Sequence, residues 1–392
     1  MTEFDEGGAG AGRPVLLRGA GSDRVTHMEL FFDVVYVLAV TELSGVLVDE
    51  PTPLGALRTL LLLIALWWTW VDTAWVTNWF NPDHLAVRLM LIGLMLCSLV
   101  ISATLTRSFG GLGLWFAGAY VALNLGRHAF ALVASRGWPE RRRNFERILV
   151  WRLCAGAFWL AGGVVDGWPR LTLWLAGLAI DTAAAAYGFY LPKLGRSQPG
   201  DWPLNGEHFA ERSYLFVILA LGESILSSGA RLATHEIGPA SLLALLLAFV
   251  NSVALWWIYF DRGASAASRV IARSGDPGRL GRSAYTYLQL PVIAGIIIAS
   301  VGNELVLAQV AGPMTIAVLV GGPALFLAGH LLFTRVVFGR LSVARLVAIA
   351  ALLAVAPVGL LGRPVLVAAA ATPVLVGFVA WESIAVRHGQ PA

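Results

Sequence analysis

The sequence predicts an all-α polytopic membrane protein with about twelve transmembrane helices, arranged as two parallel six-helix repeats. Three observations predict this fold class. Hydrophobic residues make up 57% of the 392-residue chain and charged residues only 13%, whereas soluble domains carry about 25% charged residues. The hydrophobic residues occur in runs of about twenty, and a helix of that length spans ~30 Å of hydrocarbon. The order of these runs recurs in the two halves of the chain.

Each helix is predicted from a hydrophobic run that is bounded by glycine, proline or charged residues. In the first half the predicted helices are Glu29–Val48, Leu54–Asn78, Leu85–Thr106, Leu112–Ala134, Ile148–Val165 and Leu171–Leu191. In the second half they are Phe209–Gly229, Pro239–Phe260, Ala284–Ala308, Met314–Val337, Val343–Leu361 and Val365–Ala385. The short polar connections between them leave no room for a soluble catalytic domain.

The repeat is visible when the two halves are aligned. Glu42 then meets Glu223, and Trp67-Trp-Thr-Trp-Val-Asp72 meets Trp256-Trp-Ile-Tyr-Phe-Asp261. An even number of helices in each repeat gives both repeats the same orientation in the membrane. The predicted domains are a tail at 1–27, a first repeat at 28–195, a linker at 196–207, and a second repeat with a short tail at 208–392.

Arginine is concentrated in the loops on one side of the predicted membrane, the side that holds both termini. The positive-inside rule therefore predicts cytoplasmic termini. We expect a multi-pass membrane protein, with membrane lipid as a partner. The segment Met1–Thr26 lacks the apolar core of a cleavable signal peptide. Because the arginines lie in short loops at helix ends, no nucleic-acid binding is expected, and the sequence does not indicate an oligomeric state.

Several carboxylates lie inside the predicted helices. A charged side chain at the bilayer centre costs about 2.5–3.5 kcal/mol, so it is retained where it faces a counter-charge, a bundle interior or a water-filled cavity. We predict a path between the repeats for a monovalent cation or proton, or for a proton-coupled small solute. The acids assigned to bind the ion are Glu29, Asp33, Glu211 and Glu223, those at the inner mouth are Asp72 and Asp261, and those at the outer mouth are Glu42 and Glu304.

Buried cations compete with this interpretation, because they could neutralise the acids as structural ion pairs. The candidate charge partners are Arg127, Arg152, Arg212 and His208. The predicted helices hold more acids than such partners, so the sequence predicts surplus negative charge, which a cation or proton path requires. If pairing accounts for all the acids, the protein would instead be a non-transporting membrane sensor or scaffold.

Other kinds of site are weakly indicated. His27 and Glu29 diverge around one helix, and Cys97 and Cys154 both lie in apolar runs, so neither a metal site nor another cofactor is expected. Ser224 lacks the Gly-x-Ser-x-Gly pattern of a nucleophile elbow. No catalytic residue is therefore assigned and an enzyme is not expected.

Aspartates and tryptophans within the predicted helices allow two further interpretations. An intramembrane aspartyl enzyme, in which Asp33 converges with Asp72 or Asp261, is left open as the enzymatic alternative. The tryptophan-rich end of the second helix, Trp67–Trp79, is interpreted as an aromatic belt at the membrane interface.

Three motifs place charged or polar residues within apolar helices. They are Glu29-Leu-Phe-Phe-Asp33, His208-x-x-Glu211-Arg212 followed by Gly222-Glu223-Ser224, and Tyr287-x-x-Leu-Pro291 followed by Gly302-x-Glu304. With these motifs the chain resembles the bacterial low temperature requirement protein A family from about His27 to Arg387. The resemblance implies a polytopic protein of the bacterial cytoplasmic (inner) membrane. The family name refers to growth in the cold and not to a reaction, so it links the sensor or scaffold alternative to cold or stress adaptation. The chain departs from the family pattern at Tyr214 and Gln289.

Overall fold

A computed structural model of the chain describes residues 16–18, 24–197, 205–233, 237–261, 270–271, 280–281 and 283–387. The first half contains α1 (His27–Asp49), α2 (Pro53–Trp79), α3 (Leu85–Leu105), α4 (Gly113–Ala134), α5 (Pro139–Val164) and α6 (Trp168–Ala186). The second half contains α7 (Gly206–Ala233), α8 (Pro239–Phe260), α9 (Gln289–Leu307), α10 (Pro313–Phe338), α11 (Val343–Ala354) and α12 (Pro364–Arg387). Most of the predicted tail at 1–27 and of the linker at 196–207 lies outside the described residues.

The described helices have the lengths and composition of membrane spans. Ten helical segments are long and apolar enough to cross a membrane, and they include every helix except α4 and α6. These two have 22 and 19 residues and pack among the others. The described part of the chain contains no β-strand, only isolated bridges such as Leu17 with Phe80. The predicted all-α, polytopic fold class is confirmed.

The outer surface of the bundle is apolar where lipid would surround it. Helix α3 shows this pattern most regularly, because its exposed side chains recur every three or four residues on one face: Leu85, Leu89, Ile92, Leu96 and Leu99. Such a stripe covers one side of a helix. Membrane-embedded helices with this surface contact lipid.

The two halves pack their helices in the same order. In the first half α1 contacts α2 and α3, then α3 contacts α4, α4 contacts α5, α5 contacts α6, and α6 returns to α2. In the second half α7 contacts α8 and α9, the contacts continue in order through α10 and α11 to α12, and α12 returns to α8. A duplicated sequence is expected to pack in this way. The exact bounds of the repeats stay a prediction.

The halves meet mainly where α1 packs against α7 and α9, with α2 beside α7. We call this contact the seam. Its helices carry the motifs that the sequence singles out, so the seam brings residues from both halves together at membrane depth.

Three predicted helices differ from the observed ones because of proline. Helix α5 begins at Pro139, nine residues before the predicted start at Ile148, since proline suits the first turn of a helix. A π-helical turn, Ser283–Tyr287, precedes α9, and Pro291 in the first turn of α9 has no N–H to continue an earlier helix. Helix α11 ends at Ala354 and a 3₁₀ turn that contains Pro357 follows.

Helices α9 and α10 approach closely through glycine. A Cβ atom built on Gly295 would lie 2.5 Å from the backbone nitrogen of Phe326, and one on Gly322 would lie 2.5 Å from that of Ala299. Small residues permit such backbone contact between membrane helices. The backbones of α9 and α10 are therefore in close contact at this position.

Candidate functional site

The centre of the seam is an ion pair between the two halves. Asp33 on α1 accepts hydrogen bonds from Arg212 on α7, at 3.1 Å from Nε and 2.8 Å from Nη2. The indole of Trp70 on α2 donates to the same carboxylate at 2.8 Å. Both charged side chains are fully buried. A bidentate arginine–carboxylate contact of this kind fixes orientation as well as charge.

Glu29 extends this cluster toward the start of α1. It closes a capping box with Thr26, which satisfies backbone N–H groups in the first turn. Its Oε1 atom lies 3.2 Å from Nη1 of Arg18, 2.9 Å from Nε2 of His208 and 3.7 Å from Nη1 of Arg212. The tail and both halves therefore contribute to one buried group of charges.

Helix α2 links this cluster to a second one through a stripe of buried threonines. Thr69, Thr73 and Thr77 follow each other at intervals of one turn and are fully buried. Thr77 accepts a hydrogen bond from Arg212, whereas Thr73 accepts one from Arg127 on α4. The hydroxyls also donate to carbonyls of their own helix. They can therefore accept from an arginine without leaving a buried donor unsatisfied.

The second cluster lies inside the first half, around Asp72. Its Oδ2 atom pairs with Arg127 on α4 at 3.1 Å and also with Arg152 on α5. Arg152 in turn forms an ion pair with Asp181 on α6 at 2.7 Å. The ring of His128 lies 4.0 Å from the same Oδ2 atom. Two acids and two arginines from four helices thus balance each other.

A cavity of about 700 Å³ extends from this second cluster to the side of the membrane where α1 begins. Asp72 and His128 lie at its buried end, and the exposed residues Tyr187 and Arg196 lie at its rim. Aromatic side chains make up much of the wall: Trp68, Trp75, Trp79, Phe145, Tyr187, Phe189 and Tyr287. This volume is in the range of small-molecule sites, roughly 300–1,000 Å³.

Thr286, in the π-helical turn before α9, also lines the cavity. Its side chain is 3% exposed and its hydroxyl has no hydrogen-bond partner within the described part of the protein. Its backbone carbonyl accepts a hydrogen bond from Trp67 at 2.7 Å. A buried hydroxyl without a partner is costly, and such a group commonly binds a water or a ligand. π-Helical turns are frequent at functional sites.

The other end of the seam is polar but less charged. Glu304 on α9 pairs with Arg231 at 2.7 Å and accepts a hydrogen bond from Ser44 at 3.1 Å. A small cavity of about 20 Å³ lies nearby between α1, α7 and α9. Its polar lining consists of Thr41, Ser44, Glu223, Ser224 and Ser300. All of these side chains offer oxygen atoms.

Known proteins match the chain over nearly its whole length. A model of the bacterial low temperature requirement A protein (LtrA) family matches residues 24–380. The chain belongs to the LtrA family. Uncharacterized protein RA0937 of Rhizobium meliloti (strain 1021) is 36% identical over 317 residues, which are 80% of this chain and 78% of that protein. No solved structure matches the chain. The family resemblance found in the motifs is confirmed.

In this LtrA chain, the predicted pathway acids fall into three groups. Glu29 and Asp33 lie in the seam cluster, Asp72 lies in the separate cluster of the first half, and Glu304 and Glu223 lie at the far end of the seam. The predicted charge partners Arg212 and His208 lie in the seam cluster, whereas Arg127 and Arg152 lie beside Asp72.

Three other predicted acids lie apart from these clusters. Glu211 is half-buried and accepts a hydrogen bond from the backbone N–H of Val25 at 3.0 Å. Glu42 is exposed on α1. Asp261 is exposed at the C-cap of α8, although Asp72, which aligns with it, is partly enclosed within α2. The environments differ because α2 continues for seven residues beyond Asp72, whereas α8 has ended.

The negative surplus is smaller than the sequence suggests. Arg18 and Arg231 pair with Glu29 and Glu304, although Arg18 lies in the predicted tail and Arg231 lies beyond the predicted helix Phe209–Gly229. Glu42 and Glu223 have no ion-pair partner among the described residues. No group of three or more histidine, cysteine or acidic side chains suited to a metal is found in the described parts of the chain.

The aromatic-belt interpretation of the end of α2 is wrong for Trp67, Trp70 and Trp79. These side chains are 3%, 1% and 8% exposed, whereas a belt residue lies at the lipid surface. The indoles of Trp67 and Trp70 donate to Thr286 and Asp33 within the protein. The high tryptophan content of α2 was the sequence signal for the cavity, but it does not by itself indicate which elements pack around the rings.

Proposed function

We propose that this protein moves a monovalent cation or a proton, or a small solute coupled to one, across the membrane between its two halves. The observation that carries this proposal is the seam. Acids of α1 meet the arginine and histidine of α7 there, and the contact joins both halves at membrane depth. Ionisable groups within a membrane commonly mark ion paths and proton relays.

The two ends of the seam suggest separate roles in this proposal. In this structure Asp33 and Glu29 form ion pairs with Arg212 and Arg18. In this proposal these ion pairs act as a gate that blocks the path. Glu223 has no ion-pair partner in the described residues and faces a small cavity lined by hydroxyls. Oxygen ligands suit hard cations. Glu223 would therefore be the ion-binding or proton-binding acid.

Apolar residues separate the gate from Glu223. The small cavity is also lined by Val37, Val40, Ala220, Ile296 and Ile297. A hydrophobic constriction can block an ion path until the helices around it move. In this proposal the gate opens when the two halves shift relative to each other. The protein lies in the bacterial inner membrane with both termini in the cytoplasm, and it is not an enzyme.

Ion flux into proteoliposomes tests this function, with potassium, sodium and proton gradients applied in turn. The sharpest variant is Glu223→Gln, because it removes a charge without leaving an arginine unpaired. We expect flux for the native protein and at least a tenfold loss for Glu223→Gln, which corresponds to ~1.4 kcal/mol. Glu207→Gln is the matched control, since Glu207 is exposed on the same helix. Equal flux for native protein and Glu223→Gln would remove Glu223 from the path.

A membrane sensor or scaffold linked to cold or stress adaptation is the second candidate, and one observation favours it. Six acids with side chains no more than 17% exposed each have an arginine within 3.2 Å: Glu29, Asp33, Asp72, Asp181, Glu304 and Glu382. A scaffold would lose stability in Asp33→Asn or Arg212→Gln and recover it in the double variant. That result, together with no flux of any ion through the native protein, would contradict the transport function and support the scaffold function.

A further inference from the structure

The aromatic cavity at Asp72 lies beside the seam, and the ion path proposed above does not use it. Its buried end contains polar atoms whose hydrogen-bonding capacity is not used within the protein. These atoms indicate the chemistry of a ligand.

The carboxylate of Asp72 presents an acceptor to the cavity. Its contacts with Arg127, Arg152 and His128 all involve Oδ2. The side chain is nevertheless 17% exposed and lines the cavity. A carboxylate has two oxygen atoms with about four acceptor positions. The Oδ1 atom is therefore available to a donor inside the cavity.

His128 presents a second acceptor. Its Nδ1 atom lies 2.8 Å from the backbone carbonyl of Asn124. Since a carbonyl only accepts, we assign the ring proton to Nδ1. The Nε2 atom then has its lone pair free, and the ring lines the cavity beside Asp72.

Thr286 adds a third group, from the part of the cavity lining that the second half supplies. Its buried hydroxyl lacks a partner in the described protein and can accept or donate a hydrogen bond. The first half supplies Asp72 and His128, and the turn before α9 supplies Thr286. A ligand bound between them would satisfy groups from both halves.

Arg127 and Arg152 do not compete for this position, and Arg196 lines the cavity only at its exposed rim. Arg127 and Arg152 both bind the Oδ2 atom of Asp72, and neither side chain lines the cavity. Seven aromatic side chains form the wall instead. The faces of such rings attract cations within about 6 Å. An anion would meet the Asp72 carboxylate and the negative faces of the rings.

We propose that this cavity binds a small organic ammonium ion, namely a primary or secondary amine with an apolar or aromatic body. The N–H groups would donate to Asp72, His128 and Thr286, and the body would lie against the aromatic wall. The inference does not depend on the proposed function, because the ion path proposed above does not use this cavity.

Binding to the full-length protein in nanodiscs tests the proposal, with tryptophan fluorescence and thermal shift as readouts. The three probes share one ring and differ in charge: 2-phenylethylamine, 2-phenylethanol and 3-phenylpropionate. We expect the amine to bind at least tenfold more tightly than the alcohol, and the carboxylate to be the weakest ligand. Ten-fold is the order expected for one hydrogen bond to a charged group.

The Thr286→Val variant provides the mutational test, because it removes the hydroxyl without breaking an ion pair. We expect amine binding to weaken about threefold to tenfold, as for one lost hydrogen bond. Thr59→Val is the matched control, since Thr59 is also buried but donates to Gly55 within its own helix. The proposal is overturned if the amine does not bind, if the alcohol or carboxylate binds as tightly, or if Thr286→Val binds the amine like the native protein.

Flux measurements separate this inference from the proposed function. If the amine binds as expected but neither it nor any ion crosses the membrane, the binding site stands and transport is wrong. If ions cross in a Glu223-dependent manner and no amine binds, the ion path stands and the amine site is wrong.

Discussion

The two halves of the protein pack their helices in the same order but fill corresponding positions with different chemistry. In the first half Asp72 is bound by two arginines and a cavity opens beside it. In the second half Arg345 pairs with Glu382 at 2.9 Å, and α9 and α10 meet through glycine. The segment Val343-Ala-Arg-Leu, which contains Arg345, aligns with Val150-Trp-Arg-Leu, which contains Arg152. Charged side chains that need hydration or partners hold helices apart, whereas glycine lets backbones touch.

The tryptophans show the same contrast. Trp67 on α2 is 3% exposed, whereas the aligned Trp256 on α8 is 44% exposed. The first tryptophan of the motif therefore faces the interior in one half and the surface in the other, although the aligned Trp70 and Tyr259 are both buried. A repeat conserves the path of the helices, but the seam and the cavity make the halves unequal.

The largest effect is expected from Asp72→Asn in the first half. It leaves Arg127 and Arg152 without their shared carboxylate, and breaking a buried ion pair costs about 3–5 kcal/mol. The free energy of unfolding in detergent would measure this loss. Asp83→Asn is the control, because Asp83 and Arg88 form an exposed pair that contributes about 1 kcal/mol or less. Similar losses for both variants would contradict a structural role for the Asp72 cluster.

A smaller effect is expected from Gly322→Ala, which tests the closure of the second half. The new Cβ would meet the backbone of Ala299 at 2.5 Å, and overpacking typically costs about 1–3 kcal/mol. The adjacent Gly321→Ala has open space within 4 Å, so it should be neutral or slightly stabilising in a helix. The two thermal unfolding midpoints in detergent give a direct comparison, and equal midpoints would argue against the close α9–α10 contact.

The smallest effect is expected from Glu382→Gln, the acid that pairs with Arg345 in the second half. We expect a loss of roughly 1–2 kcal/mol, because hydrogen bonds to charged groups contribute at about this level. Both side chains are also 11–13% exposed, so water can partly replace the lost carboxylate. The same measurement of the free energy of unfolding checks the order of the three expected losses. A loss as large as that of Asp72→Asn would mean that the halves do not differ in this respect.

Much of the fold could be predicted from local sequence features. The predicted helix Pro239–Phe260 has the observed bounds, and the predicted start of α3 at Leu85 is also observed. These segments are apolar runs with clear breaks, and a helix inside a membrane must satisfy its own backbone. The π-helical turn before α9 was missed, because hydrophobicity does not indicate how Pro291 alters the preceding turn.

The candidate site was predicted only in part. Helical spacing places Glu29, Asp33 and Tyr36 on one face of α1, and all three side chains are buried. The partners Arg18 and Arg231 were not expected, because they lie outside or near the ends of the apolar runs.

The sequence by itself determined that this chain is a multi-helix membrane protein of the LtrA family, with acids inside its helices and a repeated helix order. Hydrophobicity and spacing are local properties, so they can be read along the chain. Only the tertiary structure decided which acid meets which arginine, where Thr286 lies and where a cavity remains. These features depend on contacts between helices far apart in sequence, and one turn or one proline is enough to change which side chains meet.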